Sequence, residues 1–103
     1  MTDEFPKKRD FEREYLLYLQ VEKGLAKNSL ESYERDLARL RNWADKNGFD
    51  LLRLTRKDLR EWLTDLAGEN LSENSKRRIV SALRGFYKFL MFDGHIPKNR
   101  AEE

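Results

Sequence analysis

The sequence of 103 residues contains no cysteine and a single histidine. The first absence excludes disulfide frameworks and thiolate metal sites, and the second excludes a cluster of histidine ligands. No apolar run approaches the roughly 20 residues that span a bilayer, and the charged N-terminus lacks the apolar core of a secretion signal. We expect a cytoplasmic protein with no membrane segment, no metal or other cofactor, and no small-molecule substrate.

Glycine and proline are also scarce, with five and two residues, whereas charged residues make up 39% of the chain. This balance is typical of amphipathic helices with solvated outer faces. Apolar residues recur at helical spacing in four segments. They predict helices over about residues 11–23, residues 28–46, a stretch that begins after the capping residue Thr55, and residues 74–92 preceded by the capping residue Ser72. The sequence therefore predicts an all-α fold, a compact bundle of four main helices.

The same pattern divides the chain into three parts. Residues 1–10 are predicted to be a flexible leader, and residues 11–94 a single helical domain. Residues 95–103 are mostly polar and contain Pro97, so we interpret them as a linker toward a domain absent from this sequence.

The net charge is only +2, but positive charge is concentrated late in the chain. Between residues 72 and 100 the acids are Glu73 and Asp93 alone. The basic residues of that stretch are Lys76, Arg77, Arg78, Arg84, Lys88, Lys98 and Arg100. Whether the protein binds nucleic acid therefore has to be judged from the distribution of its charge and not from its net charge.

One side of the fourth predicted helix carries Asn74, Arg77, Ser81, Arg84 and Lys88, with no acid among them. Arginine and lysine neutralise phosphates, asparagine and serine bond phosphates or base edges, and a helix fits the major groove. The opposite side carries the predicted core positions Ile79, Leu83, Phe86 and Leu90. A solvated face also fits this pattern, so periodicity alone leaves both interpretations open.

Two motifs resemble a known family. Residues 25–37, LAKNSLESYERDL, are similar to the second-helix signature of the N-terminal core-binding domain of Xer-type tyrosine recombinases. The fourth helix agrees, because Ser75, Arg78 and the Ser-Ala-Leu-Arg stretch at 81–84 precede aromatic residues as they do in that family.

The resemblance extends from Phe11 to Ala101 and includes the segment between the second and third helices. It departs from the family at residues 99–101, where Asn-Arg-Ala stands in place of the usual Asn-Pro-Ala. The geometry of the linker is the feature that this departure puts in question.

The resemblance implies a SAM-like fold whose second and fourth helices contact the major groove of a recombination half-site. In that family a separate C-terminal domain performs strand exchange, so this chain is not expected to be an enzyme by itself. Its implied partners are double-stranded DNA and other recombinase subunits on that DNA. Carried over by position, the candidate DNA contacts are Asn28, Ser29, Ser32 and Arg35 on the second helix and Ser75, Arg77, Arg78, Ser81, Arg84 and Lys88 on the fourth.

Arg78 has a second interpretation, since it lies between the basic side and the core side of its helix. There it is placed to form an ion pair with Asp36 that clamps two helices together. The function also has an alternative, a helical protein-interaction module that uses the apolar surplus of the first helix at Leu17, Tyr18 and Val21 and binds no nucleic acid.

Other residues that suggest chemistry have simpler explanations. Aromatic residues on apolar helix faces are expected to pack in the core and not to act as nucleophiles or to stack on bases. These residues are Tyr15, Tyr33, Tyr87, Trp43 and Trp62. Carboxylates of the third helix interleave with basic residues, so solvation explains them better than a cation site.

Overall fold

The computed structural model describes residues 10–97, which form four α-helices and no strand. The helices are α1 (Phe11–Val21), α2 (Lys27–Lys46), α3 (Arg56–Ala67) and α4 (Glu73–Phe92), and a 3-10 turn (Leu51–Arg53) leads into α3. The predicted all-α bundle is confirmed. Most of the predicted leader and the linker from residue 98 onward, with its Asn-Arg-Ala sequence, lie outside the described residues. Within residues 10–97, no helix is both long and apolar enough to cross a membrane.

Three of the helices begin at side-chain caps. The Asp10 carboxylate accepts a hydrogen bond from the Arg13 amide, and Ser72 Oγ accepts one from the Ser75 amide. At the start of α3, the Thr55 hydroxyl accepts a hydrogen bond from the Asp58 amide, and the Asp58 carboxylate accepts one from the Thr55 amide. This reciprocal pair is a capping box. The caps expected at Ser72 and Thr55 are confirmed, whereas Asp10, assigned to the flexible leader, instead belongs to the helical body.

The core is built around α4. Phe86, Tyr87 and Leu90 are completely buried, and the buried Tyr87 hydroxyl donates a hydrogen bond to the Leu51 carbonyl oxygen at 2.8 Å. Trp62 brings α3 into the same core. Because a buried hydroxyl without a partner costs free energy, this bond fixes the turn before α3 against α4.

Helix α1 is attached to both α2 and α4. The Arg41 guanidinium donates two hydrogen bonds to Glu12, at 2.7 and 2.8 Å, and this bonding raises the pKa of Arg41. On the α4 side, the Tyr15 ring packs against Phe86 with centroids 5.7 Å apart. Gly85 is where the two helices meet, because a Cβ there would collide with the Tyr15 hydroxyl.

The first residues of the predicted linker pack against the helical domain. Gly94 turns the chain with a φ of +77°, a conformation that favours glycine. The His95 ring then lies against Phe11, with centroids 4.7 Å apart, and Ile96 is buried in the core. Ile96 is surrounded by polar residues in the sequence, so the local pattern gave no sign that its side chain reaches the core.

Candidate nucleic-acid interface

The basic side predicted for the fourth helix lies on the surface of α4. All five of its residues are exposed, whereas the four positions predicted for the opposite side are buried, which confirms the assignment of the two faces. We call this surface the α4 stripe, and its members are Asn74, Arg77, Ser81, Arg84 and Lys88. Asn74 lies on the first turn, and Lys88 lies near the end of the helix with its Nζ 6.0 Å from the centre of the exposed Phe92 ring. The stripe therefore extends along most of α4.

Ser75 lies beside the stripe and is hydrogen-bonded to Ser72, the N-cap residue of α4. Its side chain is half-buried, and its hydroxyl oxygen accepts a hydrogen bond from the Ser72 hydroxyl at 3.1 Å. The Ser75 backbone amide also donates a hydrogen bond to Ser72 Oγ, and the two interactions together hold the first turn of α4. Ser75 thus supports the end of the stripe at Asn74.

The candidate residues of α2 are concentrated in its first half. Asn28, Ser29 and Arg35 are exposed, whereas Ser32 is half-buried and accepts a long hydrogen bond of 3.4 Å from Arg35 Nη2. These residues thus present one guanidinium, one amide and two hydroxyl groups close to the start of α2.

The N-terminus of α2 carries a signal that sequence reasoning missed. Its N-cap residue is Ala26, which has no side-chain oxygen to accept a hydrogen bond, and no acid lies in the first turn. The first amide groups of a helix have no partner inside the helix, and they carry partial positive charge. With Lys27 exposed beside them, this end of α2 favours an anion. The absence of Ser, Thr or Asp before Lys27 is the feature that would have revealed it.

Asp36 and Arg78 connect α2 to α4. Arg78 Nε and Nη2 donate to the two carboxylate oxygens of Asp36, at 2.8 and 3.0 Å. Asp36 is only 3% exposed, and the hydrogen bond to it raises the pKa of Arg78. The ion pair that we considered for Arg78 is therefore present.

This ion pair also places the candidate serines. Ser32 precedes Asp36 by one helical turn on α2, and Ser75 and Ser81 lie one turn to either side of Arg78 on α4. Residues three and four apart share one face of a helix. The serines of both helices therefore border the junction that the ion pair closes.

The aromatic residues pack as expected. Tyr15, Tyr87 and Trp62 are buried, and burial raises the pKa of the Tyr15 hydroxyl. Trp43 and Tyr33 are half-buried against the core. The Trp43 indole donates to Asp65 at 3.0 Å, which also gives this α3 carboxylate a structural partner.

The family described as "Phage integrase, N-terminal SAM-like domain" has a sequence profile that matches residues 13–94 of this chain. The chain belongs to this family. Its four helices and its lack of strands between residues 10 and 97 agree with the SAM-like fold that the motifs in α2 and α4 implied.

Curated relatives of this SAM-like domain are tyrosine recombinases. The chain is 42% identical over 80 residues to tyrosine recombinase XerD of Rhizobium meliloti, covering 78% of this chain and 26% of the relative. It is 34% identical over 89 residues to XerD of Rickettsia conorii, covering 86% and 29%. Tyrosine recombinase XerC of Xanthomonas campestris pv. campestris is 35% identical over 88 residues, covering 84% and 27%. The SAM-like domain thus spans between a quarter and a third of the length of these relatives, and it is a recombinase-related N-terminal domain.

Proposed function

We propose that this SAM-like domain binds double-stranded DNA as the targeting part of a site-specific tyrosine recombinase, whose separate C-terminal domain performs strand exchange. The observation that carries the proposal is the α4 stripe. Exposed helix faces commonly mix acids with bases, whereas Arg77, Arg84 and Lys88 follow one another along α4 with no acid among the residues of the stripe. A helix of this kind fits the major groove of B-form DNA.

Helix α2 supports the same surface. Its uncapped N-terminus next to Lys27 suits a backbone phosphate, and the candidate contacts Asn28 and Ser29 lie on that same turn. The Asp36–Arg78 ion pair fixes α2 against α4, so both helices approach the duplex as one rigid body. Pre-organisation of this kind lowers the entropic cost of binding.

The residue types indicate how DNA is recognised. Phosphate contacts from arginine and lysine supply affinity that falls steeply with salt, and they carry no sequence information directly. In the α4 stripe, Arg77, Ser81 and Arg84 are the residues for reading base edges, because arginine bonds guanine in a bidentate way and serine bonds several bases. We expect modest affinity and moderate sequence preference, since a recombinase that grips DNA with two linked domains binds more tightly than either domain alone.

A duplex titration tests the proposal. Fluorescence anisotropy of a labelled duplex at low and at moderate salt compares the wild-type chain with an Arg77→Ala, Arg84→Ala double variant. We expect wild-type binding that weakens steeply with salt, and a loss of at least about tenfold in the double variant, since each base or phosphate contact contributes about 1 kcal/mol or more.

The control is an Arg13→Ala, Lys46→Ala double variant, which removes the same charge from exposed positions on α1 and at the end of α2. This variant is expected to bind nearly as well as wild type. Circular dichroism establishes that all three proteins are folded. The proposal fails if wild type does not bind at low salt, or if the stripe variant binds as well as the control.

The alternative, a protein-interaction module, is favoured by a separate observation. Leu17, Val21 and Phe92 are large apolar side chains that are 49%, 73% and 74% exposed. Leu17 and Val21 lie on α1 and belong to the apolar surplus predicted there, whereas Tyr18, the third residue of that prediction, is half-buried and packs against Phe89. Leu17 and Val21 are four residues apart and share one face of α1, and contiguous exposed apolar surface is typical of partner surfaces. In a recombinase such a surface suits a neighbouring subunit on the same DNA, so the two functions are compatible.

A further inference from the structure

A basic cleft between α3 and α4 lies beside the α4 stripe and was not among the predicted sites. Three arginines line it, with Arg56 and Arg60 on α3 and Arg84 on α4. Its remaining lining is aliphatic and contains no acid, and it consists of Leu59, Leu63, Val80 and Leu83. The cleft therefore concentrates positive charge over an apolar floor.

The two α3 arginines are not neutralised within the described part of the chain. Neither Arg56 nor Arg60 makes a side-chain hydrogen bond or an ion pair with a residue between 10 and 97, and both are exposed. They are four residues apart, so they are neighbours on one face of α3, where like charges repel. By contrast, Arg39, Arg41, Arg53 and Arg78 each form an ion pair with an acidic side chain.

The chemistry of the cleft suits a phosphate group. Arginine lays its aliphatic stem on apolar surface while keeping its guanidinium in water, and the aliphatic floor at Leu59 and Leu83 provides that surface. The planar fork of a guanidinium then matches two oxygens of one phosphate. An anion held beside Arg56 and Arg60 would also relieve the repulsion between these two side chains.

We propose that Arg56 and Arg60, together with Arg84, clamp a backbone phosphate of the duplex at the edge of the groove that α4 enters. This inference rests on the proposed DNA-binding function and adds α3 to the contacting surface. Arg84 belongs both to the α4 stripe and to the cleft, so a phosphate there lies beside the base-reading residues. Because phosphate contacts position a protein on DNA, this clamp sets how deeply α4 enters the groove.

The salt dependence of binding tests the clamp. An Arg56→Gln, Arg60→Gln double variant of the 103-residue chain is titrated with a duplex at several salt concentrations. Loss of one phosphate contact lowers the slope of log Kobs against log salt by about 0.9. If the affinity at 1 M salt is unchanged, this decrease in slope corresponds to a loss of about eightfold in duplex affinity at 0.1 M salt.

Sequence comparison provides a second readout. Loss of a phosphate contact weakens binding about equally for all duplexes, whereas loss of a base contact changes the ranking among them. We therefore expect the Arg56, Arg60 double variant to keep the wild-type ranking of several unrelated duplexes, and the Arg77, Arg84 double variant to lose it.

Two further variants complete the experiment. An Arg13→Gln, Lys46→Gln control removes the same charge far from the cleft in sequence and is expected to leave the slope unchanged. An Arg56→Lys, Arg60→Lys variant keeps the charge and is expected to retain the wild-type slope with weaker binding, because lysine lacks the fork. It also serves as the test should the glutamine variant fail to fold.

The possible failures are distinguishable. Absence of salt-dependent binding by wild type overturns the proposed DNA-binding function. Salt-dependent binding that the Arg77, Arg84 variant loses, while the Arg56, Arg60 variant and its control have equal slopes, overturns the clamp alone. The clamp is also overturned if the slope of the lysine variant falls as far as that of the glutamine variant, because the decrease would then not result from the loss of charge at these two positions.

Discussion

Asp36 and Arg78 are 42 residues apart in sequence, yet one guanidinium donates to both oxygens of one buried carboxylate. The two partners differ in their access to water, since Asp36 is 3% exposed and the Arg78 side chain 34%. The pair stands at the junction of the two helices proposed to contact DNA. Its geometry therefore links the stability of the fold to the shape of the proposed interface.

Because of this asymmetry, we expect Arg78→Met to destabilise the protein more than Asp36→Asn. Removing Arg78 leaves a buried charge without a partner, at a cost of about 2–4 kcal/mol, a range reduced from that of a fully buried pair because water reaches Arg78. Removing the charge of Asp36 leaves an arginine that water can hydrate. Urea denaturation followed by circular dichroism measures both free energies of unfolding, together with that of the double variant.

The double variant is expected to lose less than the sum of the two single losses, because it leaves no unpaired charge. Additive losses, or equal losses from the two single variants, would contradict the role of burial at Asp36.

The close approach of α1 and α4 makes a second prediction. Gly85→Ala should destabilise the fold by about 1–3 kcal/mol, although alanine favours helix over glycine, because its methyl group collides with the Tyr15 hydroxyl. The Tyr15 ring has little freedom to move, since it packs between Phe86 and Phe89. Thermal unfolding of the variant measures the effect.

Tyr15→Phe removes the clashing oxygen and is the matched test of this explanation. In that background, Gly85→Ala should cause little or no loss, because the next contact, with the ring carbon that bore the hydroxyl, is only tight at 3.2 Å. A loss of the same size in both backgrounds would show that the hydroxyl is not the cause.

The α4 stripe predicts an effect of negative charge at its centre. Ser81→Glu places a carboxylate within one helical turn of Arg77 and Arg84, where it is neutralised in the free protein but repels DNA phosphates. We expect wild-type stability and a loss of duplex affinity of at least about tenfold. Thermal unfolding and fluorescence anisotropy measure the two quantities separately.

Gln20→Glu is the matched control, because Gln20 is exposed on α1 and lies outside both the stripe and the α3–α4 cleft. Its affinity for the duplex should fall much less. If both substitutions weaken binding equally, only net charge matters, and the assignment of the interface to α4 is wrong.

The exposed apolar residues of α1 are predicted to contribute nothing to DNA binding, in contrast to the residues of the α4 stripe. A Leu17→Gln, Val21→Gln variant should keep the wild-type stability to within about 0.5 kcal/mol and the duplex affinity to within about twofold, because both side chains are exposed and lie outside the proposed interface. Sedimentation at high concentration, with and without duplex, tests whether the same substitutions reduce association between chains. A large loss of duplex affinity with intact folding would instead place α1 in the DNA interface.

Much of the architecture was predictable from local patterns. Helical periodicity placed α1, α2 and α4 within two residues of their ends, and the capping side chains at Thr55 and Ser72 marked the starts of α3 and α4. The same periodicity separated the exposed α4 stripe from the buried face opposite. These features depend on residues a few positions apart, which is the range over which a helix determines the direction of each side chain.

Sequence by itself therefore determined the fold class, the family motifs in α2 and α4, and the residues available on each helix face. Only the tertiary structure decided which faces meet. It joined Arg78 to Asp36, brought Arg56 and Arg60 into one cleft with Arg84, and buried Ile96 after the last helix. These contacts depend on how helices pack across tens of residues, and packing is set by the shapes of whole faces and not by any local spacing.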